Sequence, residues 1–278
     1  MSIGIDVRKE KSNVSLEESI MNLAKNAPNI GCTQLFTHGP RHKGVNNINI
    51  DNLKAISKKI NIYVHSTYMT SWKNDEKKTY HIHHQLATTD LIGAQGLVIH
   101  LPKDTPSNIV KELPRLAKIQ DKAKILLEVR SIRPSGNMSY ETPEKIINLI
   151  EMIKKAGFTS KQIGIVLDTA HIYVGYAPII KYGEAKEYLS KFNSYVEWFP
   201  LLHLNGNEYD AKIRAGDKHT PPLGKNDKIW GGMKYEESGC RAFVEWYLKI
   251  GSDVILETNH LLKESMDFLN FLLKTYIK

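Results

Sequence analysis

Lys124-Ile125-Leu126-Leu127-Glu128-Val129 and Ile163-Gly164-Ile165-Val166-Leu167-Asp168-Thr169 are short runs dominated by branched apolar side chains. Between them, Thr142-Pro143 opens a segment that carries Ile146, Ile147, Leu149, Ile150 and Ile153 and stops at Gly157. A continuous apolar run of this length reads as a strand covered on both faces, whereas apolar residues three and four apart put a stripe on one side of a helix. Threonine before proline is a helix cap followed by the position where proline's missing N–H costs nothing, and a glycine after the last apolar residue ends the helix. Residues 124–169 are therefore strand, helix, strand, the unit of a parallel sheet.

The unit repeats in both directions. Strands are expected at Ser2 to Val7, Thr33 to Thr37, Asn61 to Ser66 and Gly96 to Leu101 before it, and at Phe199 to Asn205 and Asp253 to Thr258 after it. Helices are expected from Ser15, whose Ser15-Leu16-Glu17-Glu18 sequence is a capping box, to just before Pro28. Others fall at Asp51 to Lys59, Asp75 to Ile92, Ser107 to Gln120 (kinked or shortened by Pro114), Glu184 to Lys191, Glu236 to Ile250 and Leu261 to Tyr276. Eight strand–helix repeats close an α/β (β/α)8 TIM barrel, whose active site lies at the C-terminal ends of the strands. With no interior linker, residues 1–278 are expected to form a single domain. Gly206 to Tyr235, rich in Gly, Pro and charge, is too long for a plain connection and is expected to be functional.

Composition narrows the function. The chain is 41% hydrophobic and has no apolar run approaching the roughly 18 residues of a membrane helix. Met1 to Asn13 reads as strand and loop, not as a secretion signal, so an intracellular, cytoplasmic or nuclear monomer is expected, with no membrane partner. Cys32 and Cys240 are too few for a disulfide framework or a cysteine zinc site. Any metal must be held by His, Asp and Glu. A formal charge of +8 and a pI near 9.2 favour a polyanionic partner such as nucleic acid.

The third to eighth strands deliver His65, His100, Glu128, Asp168, His203 and Glu257 at their exits, all hard or borderline metal ligands. Given 30 Asp and Glu and 11 His in 278 residues, six such exits in a row arise by chance at about one in 10⁵, and at under ~1% with a three-residue window. His171 follows Asp168 by three residues, and Asp217-Lys218-His219 lies in the long loop with both ligand-type side chains on one face. These candidates are too many for one ion, and acids massed in a partly buried mouth are costly without cations.

Val64-His65-Ser66-Thr67-Tyr68, Val98-Ile99-His100, Leu127-Glu128, Leu167-Asp168-Thr169-Ala170-His171, Leu202-His203-Leu204-Asn205, Asp217-Lys218-His219 and Leu256-Glu257-Thr258 together resemble the endonuclease IV family of apurinic/apyrimidinic (AP) endonucleases, in order and over nearly the whole chain. The resemblance implies a Zn2+ centre of three ions. Glu128, the catalytic carboxylate, would bridge two; His65 and His100 would complete the first, Asp168, His203 and Glu257 the second, and His171, Asp217 and His219 would hold the third. It also implies a base-excision-repair hydrolase whose partner is double-stranded DNA containing abasic sites. Such an enzyme cuts the phosphodiester 5′ to the site, leaving a 3′-hydroxyl and a 5′-deoxyribose phosphate, and trims blocked 3′ ends.

Phe36-Thr37-His38-Gly39-Pro40-Arg41 resembles the family loop whose Arg enters the DNA stack, and Tyr68 and Met69 match its second insertion loop. Four departures from the usual family pattern bear on loop shape: Leu101-Pro102 for Pro-Gly, Ala170 for Cys, Val129-Arg130-Ser131 for Asn-Thr-Ala, and Gly206 where an acid is common. Lys43, Lys73, Lys103, Arg130, Arg133, Lys212, Arg214, Lys218 and Lys225 fall near strand exits and are candidates for phosphate contacts. His81-Ile82-His83-His84 lies within a helix and reads as a surface feature. A metal-dependent sugar isomerase or epimerase would need only Glu128, Asp168, His203 and Glu257. The five further ligands and the basic charge weigh against it, and the absence of any missing ligand weighs against a non-enzymatic DNA-binding barrel.

Overall fold

The computed structural model describes residues 1–8, 14–38, 48–68, 76–118, 122–130, 139–213 and 216–277, with backbone alone at 76–81. In chain order the strands are β1 (Ile3–Asp6), β2 (Cys32–Leu35), β3 (Asn61–His65), β4 (Gly96–His100), β5 (Lys124–Glu128), β6 (Ile163–Asp168), β7 (Leu201–His203), the two-residue β8 (Gly206–Asn207) and β9 (His219–Thr220), and β10 (Asp253–Leu256). The helices are α1 (Leu16–Asn26), α2 (Ile50–Ser57), α3 (Glu76–Leu91), α4 (Pro106–Ala117), α5 (Pro143–Lys155), α6 (Thr169–Val174), α7 (Tyr182–Ser190), α8 (Gly239–Lys249) and α9 (Lys263–Tyr276). β1 to β7 and β10 form a closed parallel barrel in the order β1-β10-β7-β6-β5-β4-β3-β2, while β8 and β9 pair antiparallel outside it. This is the expected (β/α)8 architecture.

Local signals act where the sequence puts them. Ser15 Oγ accepts from Glu18 N at 3.1 Å and the Glu18 carboxylate accepts from Ser15 N at 2.9 Å, closing the capping box of α1. Thr142 caps α5 with Pro143 in the first turn, and Gly157 turns out of it at φ +89°. Pro114 does not end α4, which runs on to Ala117. Its missing N–H removes one bond near the last turn, and Ile109, Leu113 and Leu116 stay buried on the inner face.

Strand parity divides the core in two. Outward-facing residues such as Ile62, Val64, Leu97, Ile99, Ile125, Leu127, Ile165 and Leu167 pack under the helices. Inward-facing residues make a separate apolar layer inside the barrel: Cys32, Tyr63, Val98, Leu126, Val166, Leu201 and Ile255. Gly96 and Gly164 leave room there for Leu126, whose side-chain carbons lie 2.8 Å from where either Cβ would stand. Because side chains alternate along a strand, the next inward residue toward each carboxyl end emerges just above this layer. Those residues are His65, His100, Glu128, Asp168, His203 and, past the end of β10, Glu257.

Candidate metal centre

All nine ligand-type residues converge on one mouth of the barrel. His65, His100 and Glu128 bring ligand atoms within 4.8 Å of one another, as do Glu128, Asp168, His203 and Glu257, and as do Asp168, His171 and His219. Glu128 is at the centre. Its Oε2 lies 3.0 Å from both His65 Nε2 and His100 Nε2, and its Oε1 lies 3.0 Å from His171 Nδ1 and 3.5 Å from His203 Nδ1. A carboxylate so placed faces two groups at once.

The third group has an explanation in local structure. Asp168 caps the short helix α6, its Oδ1 accepting from His171 N at 3.0 Å, which is what fixes the three-residue spacing to His171. The long loop returns through the β8–β9 pair to bring in His219 and Asp217. Asp217 Oδ2 lies 2.8 Å from His171 Nε2 and 3.6 Å from His219 Nε2. Asp168 also reaches His219, at 3.6 Å, and thereby joins two groups; the resemblance had assigned it to one.

The electrostatics are those of a site suited to cations. Burial opposes ionisation of Glu128, but His100, His203 and His171 prevail and hold its carboxyl well below the usual range. Burial likewise disfavours charge on the histidines. Even so, Glu257 and Glu128 hold His203 well above its ordinary value, Asp168 and Glu128 do the same for His171, and Asp168 with Asp217 takes His219 up to about 9. His100 goes the other way, lowered to about 4 by burial. Asp168 is raised by burial, while His203 pulls Glu257 down and His171 pulls Asp217 down against it.

Protons thus stand in for cations, and incompletely. Glu128 Oε1, His203 Nδ1 and His219 Nε2 are buried beside charged neighbours at 3.0–3.6 Å but form no well-directed hydrogen bond. Buried polar atoms without such a bond are rare in folded proteins, and mixed nitrogen and oxygen donors at this spacing suit zinc and related ions. The residues present therefore fit a metal centre.

Other residues hold the cluster in shape, and they escape a search for ligand types. Gln34 at the exit of β2 contacts both Glu257 and His203. Asn205 donates to Asp168 Oδ2 at 2.7 Å and to Glu257 Oε2 at 3.3 Å, and its carbonyl oxygen accepts from Glu257 N at 2.9 Å. Asp6 at the exit of β1 is buried beside Arg8, and burial pushes it up to about 6. Asp6 and Gln34 occupy the exits of the first two strands, so the same strand-end position that marks the other six marks them too.

Asp227 explains the departure at Gly206. Its carboxylate accepts from the backbone N–H of Asn207, Leu223, Ile229 and Trp230 at 2.8–3.2 Å, gathering the long loop around itself. A Cβ at Gly206 would stand 2.6 Å from Asp227 Cγ, so no acid fits there in this chain.

Above the cluster is an open cavity of about 1700 Å³, lined among others by Arg8, Tyr68, Lys103, Arg130 and Lys218. Tyr68 is 51% exposed and stacks on the His100 ring at 5.2 Å and 16°. Its loop is tied down by Gln85 of α3, whose side-chain oxygen accepts from Thr67 N at 2.9 Å. Lys218 pairs with Glu208 at 2.8 Å, so the rim alternates charges and is not uniformly basic. Arg41 and Met69 lie outside the described residues, as do Lys43, Lys73, Arg133 and Arg214. The segment expected at the surface, His81-Ile82-His83-His84, is corrected in part. Ile82 is fully buried, His83 and His84 are half-buried, and the His84 ring meets that of buried His38 edge-on at 5.2 Å, because the inner stripe of α3 packs against the barrel.

A parallel barrel with His, Asp and Glu massed at its carboxyl mouth defines the class, a (β/α)8 enzyme built around bound metal. No family model matches the chain. A protein of African swine fever virus named "Probable AP endonuclease" is 31% identical over 239 residues, which cover 81% of this chain and 78% of that protein. The AsfvAP:AG crystal structure superposes with a TM-score of 0.83 at 24% identity, over 99% of this chain and 96% of that one. Endonuclease IV from Thermus thermophilus superposes at 0.74 and 18% identity, over 99% and 100%. A xylose isomerase domain containing protein from Salmonella typhimurium and an L-ribulose 3-epimerase share the fold at TM-scores of 0.64 and 0.61, with 16% and 12% identity. On the sequence relationship, the chain belongs to the endonuclease IV family of AP endonucleases.

Proposed function

We propose that this chain is a zinc-dependent AP endonuclease of base excision repair. It hydrolyses the phosphodiester 5′ to an abasic site in double-stranded DNA, leaving a 3′-hydroxyl and a 5′-deoxyribose phosphate, and also trims blocked 3′ ends. The observation that carries the reading is the convergence of the nine ligand-type residues, from six strand exits, α6 and the long loop: eight of them form contiguous groups and Asp217 adjoins His171 and His219. His65, His100 and Glu128 would hold one zinc, Glu128, Asp168, His203 and Glu257 a second, and His171, Asp217 and His219 a third, with Asp168 also within reach of the last. Zinc bound there supplies Lewis acidity, making water a better nucleophile near neutral pH and offsetting charge on a scissile phosphate.

The chain's own residues do the rest. Glu128 spans two groups and fixes their separation. The half-exposed Tyr68 ring, braced on His100, offers a flat face to a sugar or base at the mouth. Lys103 and Arg130 line the same cavity and would meet backbone phosphates. By resemblance, Arg41 and Met69 fill the gap in the stack, where the missing base makes the duplex easier to kink. In this reading the chain acts as a single-domain monomer inside the cell. No helix among the described residues is long and apolar enough to cross a membrane.

The test is incision of a labelled duplex carrying one synthetic abasic site, before and after chelation, with an intact duplex as control. Site-specific cutting that is lost on chelation and restored by zinc is expected. Absence of cutting by protein that retains zinc would overturn the reading, and turnover of a keto sugar by that protein would return it to the isomerases.

A further inference from the structure

Gln34 points inward from β2, fully buried, at the level of His203 and Glu257. Its amide makes one bond in each direction. Nε2 donates to Glu257 Oε1 at 2.5 Å, and Oε1 lies 2.9 Å from His203 Nε2. An ionised carboxylate offers acceptors only, so the NH₂ end of the amide must face Glu257. The carbonyl end then faces His203, and since a carbonyl only accepts, Nε2 of His203 must carry the ring proton.

The consequence is at the other ring nitrogen. Nδ1 faces Glu257 Oε2 at 3.1 Å, Glu128 Oε1 at 3.5 Å and Asp168 Oδ2 at 3.9 Å, and it is the nitrogen that gives up its proton and offers a lone pair when a cation binds. These are the carboxylates that share a group with it. The same amide takes Glu257 Oε1 out of play and leaves Oε2 turned toward Nδ1. We propose that Gln34 is a positioning residue for the metal centre, fixing His203 as the tautomer that ligates through Nδ1 and holding Glu257 with Oε2 inward; this rests on the zinc-binding reading above. The carboxylate orients the amide, the amide sets the tautomer, and the tautomer presents the ligand atom. Outer partners of metal-bound histidines are commonly worth 10–100-fold in metal affinity.

The experiment titrates zinc out of the full chain with a chromogenic chelator, for the wild type, Gln34→Met and Gln34→Glu, and records imidazole nitrogen spectra of the zinc-loaded proteins. Gln34→Met keeps the length and fill of the side chain but removes both bonds. One zinc equivalent is expected to leave it 10–100-fold more readily than from the wild type, with the His203 Nε2–H exchanging faster or lost. Gln34→Glu, isosteric and available should the Met variant not fold, can still accept from His203 but sets like charge against Glu257. It is expected to keep the Nε2–H signature and lose zinc affinity. A role in packing alone would change neither the tautomer signature nor the release of a single equivalent. The proposal is overturned if both variants release zinc as the wild type does, or if wild-type His203 carries its proton on Nδ1. A wild type that binds no zinc removes the functional reading and this proposal with it, whereas a zinc-binding wild type with unchanged variants removes the proposal alone.

Discussion

One strand carries a buried carboxylate at each end of the barrel, and the two are treated in opposite ways. Asp253 at the amino end of β10 is surrounded by donors: Ser2 Oγ at 2.8 Å, Asn61 Nδ2 at 2.8 Å and the Tyr63 hydroxyl at 3.0 Å. Glu257, about 13 Å further along at strand rise, accepts from the Gln34 and Asn205 amides but also faces His203, His219 and His65 across a cluster of acids and imidazoles. Neutral donors from neighbouring segments, with the Met1 ammonium 3.8 Å away, satisfy the lower carboxylate within the fold. The upper cluster, acids interleaved with imidazoles, has the donor chemistry of a cation site. A carboxylate closed by the protein's own donors serves stability, and one left open to a cation serves chemistry.

The largest expected effect is at the top. Glu128→Gln removes the charge that faces two groups, and incision of the abasic duplex should fall by about 10³-fold or more; cutting at the wild-type rate by metal-loaded variant would remove Glu128 from the mechanism. At the bottom, Asp253→Ala strands the donors of Ser2, Asn61 and Tyr63. Chemical denaturation should show a loss of about 3 kcal/mol, while zinc content and incision per folded molecule stay at wild type. A drop in zinc content there would erase the distinction between the two ends.

Gly206→Asp probes the loop that delivers Asp217 and His219. It sets a second acid against Asp227 in space already filled, so a loss of about 2 kcal/mol is expected, with early release of the zinc equivalent those residues would hold on the proposed assignment. An unchanged melting temperature and zinc release would show that the loop does not depend on Asp227.

The smallest effect is in pH dependence. The folded His219, at about 9, is above its ordinary value of 6.5, so in metal-free protein its contribution to stability is complete below about 6.5 and is lost as pH rises through about 9. Glu257 and Asp217 are depressed, so their contribution is present above the usual carboxylate range and is lost on acidification. On the proposed ligand assignment zinc would displace the His219 proton, which would make affinity rise about tenfold per pH unit for each proton released, up to about pH 9. Thermal unfolding with and without zinc should therefore show a larger gain from zinc at pH 9 than at pH 6. An equal gain at both would mean that His219 is not a ligand.

Six of the nine ligand-type residues were legible because strand period and strand end coincide: an inward residue at a carboxyl terminus has nowhere to point but the mouth. His171 was legible from its spacing to Asp168, though the six-residue helix that enforces the spacing was not, being too short to show a periodic stripe. Gln34 and Asn205 were invisible because an amide has no distinctive ligand chemistry, and its importance lies wholly in which two groups it reaches. The buried inner face of α3 was missed for a related reason, since polar Gln85 and the adjoining histidines do not advertise burial.

The sequence by itself determined the barrel, its strand exits and the candidate ligand-type residues delivered there, because each depends on residue type at short and regular spacing; the family was legible through resemblance of the motifs. Only the tertiary structure decided that Asp168 serves two groups, that Asp227 excludes a side chain at Gly206, and that Gln34 governs His203. Those facts depend on distances between residues far apart in the chain, which closure of the barrel sets and local spacing does not.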